Sequence, residues 1–430
     1  MRCNARKFRL GAWFVVAATL GCSPGSERPP DAGAGPVEIV FKHGKVVGDP
    51  EPVERLLRRF EATHPGVRVR EETLPAATDD QHQFYALALE GRSADFDVLA
   101  MDVIWVPEFA RAGWILPVDD LLPADARAAF FPGPIEAVIF EGHAYAVPWY
   151  IDAGVLYYRK DLLDAAGLPP PGTWPELVEI ARAIVAKHPG MRGFVWQGKQ
   201  YEGLVCNAME FLWSAGGAVI DEGRVVLASA RNSVALGFMH DLIGPRGVSP
   251  AFVTSMTEEP ARRIFGDGRA VFLRNWPYAW TLFERADSPV RGKVGIARLP
   301  RFEGGRSAST LGGWQLGVNR FSRHPAEAKA LVAFLTSADA EKTLALGLGY
   351  NPPRRALYDD PDLLAAQPAL ARLRDVFETA RPRPVTPYYA MASQILQPEF
   401  SAALTGIKSP EAALASASKQ IAHLLAADRG

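Results

Sequence analysis

Apolar and polar positions alternate with different periods along this chain, and each change of period marks an element. From Val37 to His43, "VEIVFKH" reads as a short strand. In "EPVERLLRRFEATHPG", Val53, Leu56, Leu57 and Phe60 fall at i, i+3, i+4 and i+7, one face of a helix that Pro65-Gly66 stops. "VRVREETL" then alternates as a second strand. Strand, helix, strand is a βαβ unit, which implies parallel pairing with a right-handed crossover. "ADFDVLAMD", Ala94 to Asp102, reads as a further strand, largely buried. Thr173 and Glu176 fit a capping box before "LVEIARAIVAKH". Pro325 opens a helix over "AEAKALVAFL", and Ser409-Pro410 opens a last one over "EAALASASKQIAHLLAA". The alternation predicts an α/β protein. A chain of 430 residues without internal repeats suits two such domains.

Ahead of the first strand the pattern differs. Arg2, Arg6, Lys7 and Arg9 form a basic head, and "LGAWFVVAATLG", Leu10 to Gly21, is an apolar run of 12 residues. A membrane span needs about 20. A basic head, a short apolar run and then small residues describe an export signal over 1–21. It ends in "TLGC", Thr19 to Cys22, which resembles the lipobox of bacterial lipoproteins, although Leu20 stands two places before the cysteine instead of three. That resemblance implies a lipid on Cys22. "SPGSERPPDAGAGP", Ser23 to Pro36, then reads as a disordered tether, giving a lipidated linker over 22–36. With Cys3 lost in the signal and Cys22 lipidated, only Cys206 remains, so the folded part can form no internal disulfide. Its stability must come from a large core.

The chain has 47 Lys and Arg against 48 Asp and Glu, and removing the four basic residues of the signal takes the formal charge from −1 to about −5. No basic block remains, which argues against nucleic acid and against a polybasic membrane surface. The 10 Trp, 11 Tyr and 22 Phe are a generous aromatic supply, and it needs a use. One stretch raises the question directly. In "PWYIDAGVLYYRKDLL", a single carboxylate, Asp152, follows two large rings, Trp149 and Tyr150. A hydrogen bond to a charged group contributes about 1.5–3 kcal/mol, against about 1 for a neutral one.

Five stretches carry a resemblance: "DVLAMDVIWVPEFARAGWILPVDDLL", "AVPWYIDAGVLYYRKDLL", "WQGKQYEGLVCNAMEFLWSAGG", "FLRNWPYAW" and "LGGWQLGVNRFSRHPAEAKALVAFL". With the signal and tether, they resemble the extracytoplasmic solute-binding proteins of bacterial ABC importers. The match is to the sugar-binding family that includes maltose-binding protein, and within it to the trehalose/maltose-binding branch. The resemblance implies a two-lobed periplasmic-binding-protein fold (type II) with a multi-segment hinge and a ligand cleft between the lobes. The first lobe is expected over 37–149 and 312–362, the second over 150–311 and 363–430. The implied function is capture of a small carbohydrate, a glucose disaccharide such as trehalose or maltose, by hinge closure. Its delivery to the transmembrane subunits of a permease would follow. The implied protein is an exported monomer without enzymatic activity or cofactor, anchored by its lipid in the periplasm or at the outer cell surface.

The resemblance also assigns residues. Tyr150 and Asp152 resemble the family's sugar-contacting Tyr-x-Asp. Trp276 and Tyr278 in "RNWPYAW" resemble its stacking aromatics, with Trp280 left to the core. Gly312-Gly313-Trp314 resembles its Gly-Gly-Trp, where glycine admits close backbone approach. Asp102, at a strand end, is similar in place to a sugar-binding Asp; Trp105 divides between cleft and core. Arg383 in "RPRPVTPYY" matches a family Arg loosely, with Arg381 a rival. In "PAATDDQHQFY" the branch has a basic contact near Asp80, whereas Asp79 and Asp80 are acidic here, which leaves Asp79 a candidate.

Two rival readings use the same residues. Aspartates beside tryptophans also suit a glycoside hydrolase, with two carboxylates about 5–10 Å apart, but no G-x-S-x-G, H-E-x-x-H or P-loop is present. The eight His show no i, i+4 metal pairing. Iron binders of related shape use tyrosines, and Tyr157-Tyr158 or Tyr388-Tyr389 would serve, though neighbours in a strand face opposite ways.

Overall fold

The computed structural model describes residues 35–426 except Ala76 and Glu222; the signal, Cys22 and most of the tether lie outside the described residues. Nine strands build its two main sheets: β1 (Val37–Gly44), β2 (Val67–Leu74), β3 (Val98–Asp102), β4 (Val147–Ala153), β5 (Val155–Arg159), β6 (Arg192–Val195), β7 (Ala270–Asn275), β8 (Val294–Ala297) and β9 (Leu311–Val318). The first sheet runs β2-β1-β3-β9-β4, the second β8-β5-β7-β6. β1 pairs in parallel with β2 and with β3, as a βαβ start requires. β9 returns late in the chain and runs antiparallel between β3 and β4. Each sheet is the centre of one lobe.

The elements follow from the sequence pattern. Helix α1 (Glu51–Thr63) buries Val53, Leu56, Leu57 and Phe60, the face its period marks. β3 is buried at every position, which suits its unbroken apolar run in mid-sheet. Thr173 caps helix α2 (Trp174–Lys187) in a reciprocal box with Glu176. β2 buries only its two ends, because it lies at a sheet edge. Among the described residues, no helix is long and apolar enough to cross a membrane.

The chain crosses between sheets at Gly154, at Ser309-Thr310 and near Arg381. The lobe boundary expected between Trp149 and Tyr150 therefore moves to Gly154. Tyr150 and Asp152 stay in the first sheet, paired with Trp314 and Gly312. The apolar run hides this break, and the reason is packing: a Cβ at position 154 would lie 1.8 Å from Oε1 of Glu210. The boundary expected at Asp362 also moves. Helix Leu370–Thr379 still packs on the first lobe, with Phe377 against Phe131 and Tyr358, and the crossing comes where Arg381 bridges Thr310.

Gly313 has φ of +123°, and a Cβ there would stand 2.5 Å from the Tyr150 carbonyl oxygen. Gly313→Ala is expected to cost about 1–3 kcal/mol in stability through backbone strain. A urea titration showing an unchanged midpoint would contradict this.

Candidate functional site

Three adjacent strands bring one group of residues together. β3 ends in Asp102, which pairs with Trp314 on β9; Trp314 pairs on its other side with Tyr150, and Gly312 pairs with Asp152. Directly paired residues share a sheet face. Asp102, Tyr150, Asp152 and Trp314 therefore project from one side of the first sheet. Trp105 does not line this group: it is 2% exposed and packs beneath Trp314, edge to face, with ring centroids 5.7 Å apart. Tyr350 stacks on Tyr150 at 4.0 Å with 25° between the planes.

The second lobe supplies the facing plate. Trp276 follows β7 and reaches back across the lobes, so that a Cβ on Gly312 would lie 3.2 Å from its Cζ3. That glycine leaves the indole room against the first sheet. The Arg274 guanidinium lies 4.0 Å from the Trp276 ring centre. The indole Nε1 donates to Glu258 Oε1 at 3.4 Å, and the Tyr157 hydroxyl donates to the Trp276 carbonyl at 3.0 Å. Arg274 is itself fixed by a two-pronged pair with Glu210, Nε to Oε2 at 2.8 Å and Nη2 to Oε1 at 2.5 Å. Tyr278 is half-buried beside Trp276 in sequence and donates its hydroxyl to Glu259 at 2.9 Å.

Between the lobes lies a buried ionic network. Arg383 donates to Asp102 Oδ1 at 2.9 Å and to Glu202 Oε1 at 2.7 Å. Its Nε is buried with no hydrogen-bond acceptor. Asp79 stands at the rim, in the first turn of helix Thr78–Glu90, where Gln397 Nε2 approaches its Oδ2 at 3.4 Å.

Burial dominates the electrostatics. It pushes the Asp152 carboxyl up to about 8; Arg274 and the Asn351 side chain pull the other way, and Asp102 adds to the rise. Asp102 is also raised by burial, against the opposing pull of Arg383. Asp79 is raised by burial, with Gln397 opposing. A site of this kind offers flat apolar plates, carboxyl groups able to hold or release a proton, and one guanidinium with a spare donor.

The family model for bacterial extracellular solute-binding proteins matches residues 46–342. The chain belongs to that family. A probable ABC transporter-binding protein of Deinococcus radiodurans is 38% identical over 372 residues, 85% of this chain and 87% of that one. A mannitol-binding protein of Pseudomonas aeruginosa is 28% identical over 395 residues, 86% of this chain and 89% of that one. Among solved structures, maltose-bound MalE3 of T. maritima aligns with a TM-score of 0.86 and 43% identity, covering 90% of this chain and 100% of that one. The two-lobed α/β fold expected from the sequence is the fold of this solute-binding protein.

Within this solute-binding protein, the expected residues divide. Tyr150, Asp152, Gly312, Gly313, Trp314, Asp102 and Trp276 meet at one place between the lobes, and Arg383 reaches it through Asp102. Tyr278 and Asp79 lie at its margins. The rival Arg381 lies 5.0 Å over the ring of Trp213 and lines a cavity of about 780 Å³ with Phe140 and Pro384. Trp280 packs against the core. Of the tyrosine pairs, Tyr157 donates its hydroxyl to the carbonyls of Trp276 and Pro277, and Tyr389 donates to Glu202. Among the described residues no cluster of three or more His, Cys, Asp and Glu is placed to hold a metal.

Sequence reasoning missed Glu202, Tyr350, Asn351 and Glu258. Glu202 opens a helix inside one of the five resembling stretches, where an acid in a first turn passes as dipole stabilisation. Tyr350 and Asn351 follow a left-handed Gly349 at a helix end and read as a plain turn.

Proposed function

We propose that this solute-binding protein captures a small carbohydrate, a glucose disaccharide such as trehalose or maltose, and delivers it to the transmembrane subunits of an ABC importer. One observation carries the reading: Trp276 of the second lobe comes against Gly312 of the first, on the sheet face that carries Trp314, Tyr150, Asp102 and Asp152. Two plates take the two faces of a sugar ring, and the acids take its hydroxyls. The similarity to maltose-bound MalE3 supports a glucose disaccharide. The mannitol-binding relative is more distant, at 28% identity. The protein works outside the cytoplasm as a monomer, exported by residues 1–21 and held to a membrane by a lipid on Cys22. It releases its ligand unchanged.

Calorimetry with trehalose and maltose tests the proposal. Each sugar is expected to bind saturably at one site, with no glucose released on prolonged incubation. Trp276→Ala and Trp314→Ala are each expected to cost about 0.5–1.5 kcal/mol of affinity beyond the loss of buried area. Unchanged affinities in both variants would move the site elsewhere; glucose release that depends on Asp152 would make the protein a hydrolase.

A further inference from the structure

We infer that Glu202 is a positioning residue that sets how far the empty protein is closed. It would thereby scale the affinity for every ligand by one common factor. The affinity part of this inference rests on the sugar-capture reading; the closure part does not.

Arg383 lies on the third crossing, between Asp102 at the end of a first-lobe strand and Glu202 at the start of helix α3 (Glu202–Ser214) in the second lobe. The three residues are 8%, 3% and 5% exposed for Asp102, Arg383 and Glu202. Glu202 already accepts from three side chains of the protein. Its Oε1 accepts from Arg383 and from the Tyr389 hydroxyl, each at 2.7 Å, and its Oε2 accepts from Ser393 Oγ. Cys206 Sγ adds a contact to Oε1 at 3.8 Å. Asp102 differs: both of its hydrogen bonds, from Arg383 and from the Ile104 amide, fall on Oδ1, which leaves Oδ2 for a hydroxyl. Glu202 is therefore placed to act on a ligand through Arg383.

The network also returns to the first lobe. Gln397 Nε2 donates to Ser393 Oγ at 3.0 Å and reaches Asp79 Oδ2 at 3.4 Å. Two first-lobe carboxylates, Asp102 and Asp79, are thus joined to one second-lobe carboxylate by Arg383 on one side and Ser393-Gln397 on the other. Opening the hinge separates these ends. One guanidinium serves two buried carboxylates, so its hold on both lobes depends on each of them. Without the Glu202 charge, Arg383 stays with Asp102 and no longer ties the second lobe. The closed fraction of the empty protein then falls, and apparent affinity falls in proportion. Because Glu202 acts through Arg383, the ratio of affinities between two sugars stays constant.

The test is Glu202→Gln, read by small-angle scattering without ligand and by calorimetry with maltose and trehalose. The variant is expected to scatter as a more expanded particle when empty. It is expected to lose about tenfold in affinity for both sugars, with their ratio unchanged. Ser393→Ala and Tyr389→Phe, each removing one donor to Glu202, are expected to shift both readings the same way by less, and they decide the matter if Glu202→Gln does not fold. Empty-state scattering identical to wild type overturns the inference. So do unequal losses for the two sugars, which make Glu202 a ligand contact. If neither sugar binds the wild type, the sugar reading fails while the scattering still decides the role of Glu202.

Discussion

Glu210→Ala is expected to destabilise the protein by about 3–5 kcal/mol, because it strands a buried cation. The Glu210 and Arg274 side chains are each 1% exposed and meet through two hydrogen bonds. With the carboxylate gone, the guanidinium retains Gln197 Oε1 at 3.2 Å as its hydrogen-bonding acceptor and has no directly bonded carboxylate. The same carboxylate accepts from the Thr310 amide at 3.1 Å and fills the space beside Gly154. It therefore braces two of the three crossings. Arg274 also lies under Trp276, so sugar affinity is expected to fall along with stability. Urea unfolding followed by calorimetry checks both effects. The double variant Glu210→Met with Arg274→Met is expected to be more stable than Glu210→Ala, since it removes both charges together. A single variant that unfolds at the wild-type midpoint would show that the pair carries no structural weight.

Much of the fold was legible because its signals are local. The i, i+3, i+4, i+7 face of α1, the capping box of α2 and the buried run of β3 each lie within one short window. The crossings were not. The break at Gly154 is set by Glu210, far along the chain, which occupies the space a side chain would need. Nothing near position 154 announces that contact, and the apolar run continues from β4 into β5. The late switch after Thr379 likewise depends on Phe377 finding Phe131 and Tyr358, contacts that periodicity does not encode.

The candidate site was legible in its aromatic residues and less so in its charges. Tyr150, Asp152, Trp276 and Trp314 came from short motifs in a resembling order, and the pairing of β3, β9 and β4 explains why such distant motifs converge. Glu202 escaped because its role exists only once Arg383, 181 residues further on, is beside it. Choosing between Arg381 and Arg383 needed geometry too, since they sit two apart on one crossing and only one turns to Asp102. Asp152 reads from the sequence as an ionised acceptor, whereas in the folded protein burial favours its protonated form.

That retained proton has a measurable consequence. The Asp152 carboxyl stands at about 8 in the folded protein, against an ordinary 3.8. Between those values the native state binds a proton that the unfolded chain has lost. Stability is therefore expected to fall as pH rises through this window, by up to about 1.4 kcal/mol per pH unit for one group. Asp152→Asn is expected to remove that slope. Binding runs the other way. Sugar hydroxyls donating to the carboxyl favour its charged form, so a ligand lowers the pKa and expels the proton. At pH 7, calorimetry in buffers of different ionisation enthalpy is expected to record up to about one proton released per maltose bound, and affinity is expected to climb towards pH 8. Asp79 and Asp102 are raised as well, so the quantity assigned to Asp152 is the difference between wild type and Asp152→Asn. Asp152→Ala is expected to lose at least about 1.5 kcal/mol of affinity. Proton uptake on binding, or a release that Asp152→Asn leaves intact, would mean that the carboxyl meets the sugar in its neutral form or does not meet it.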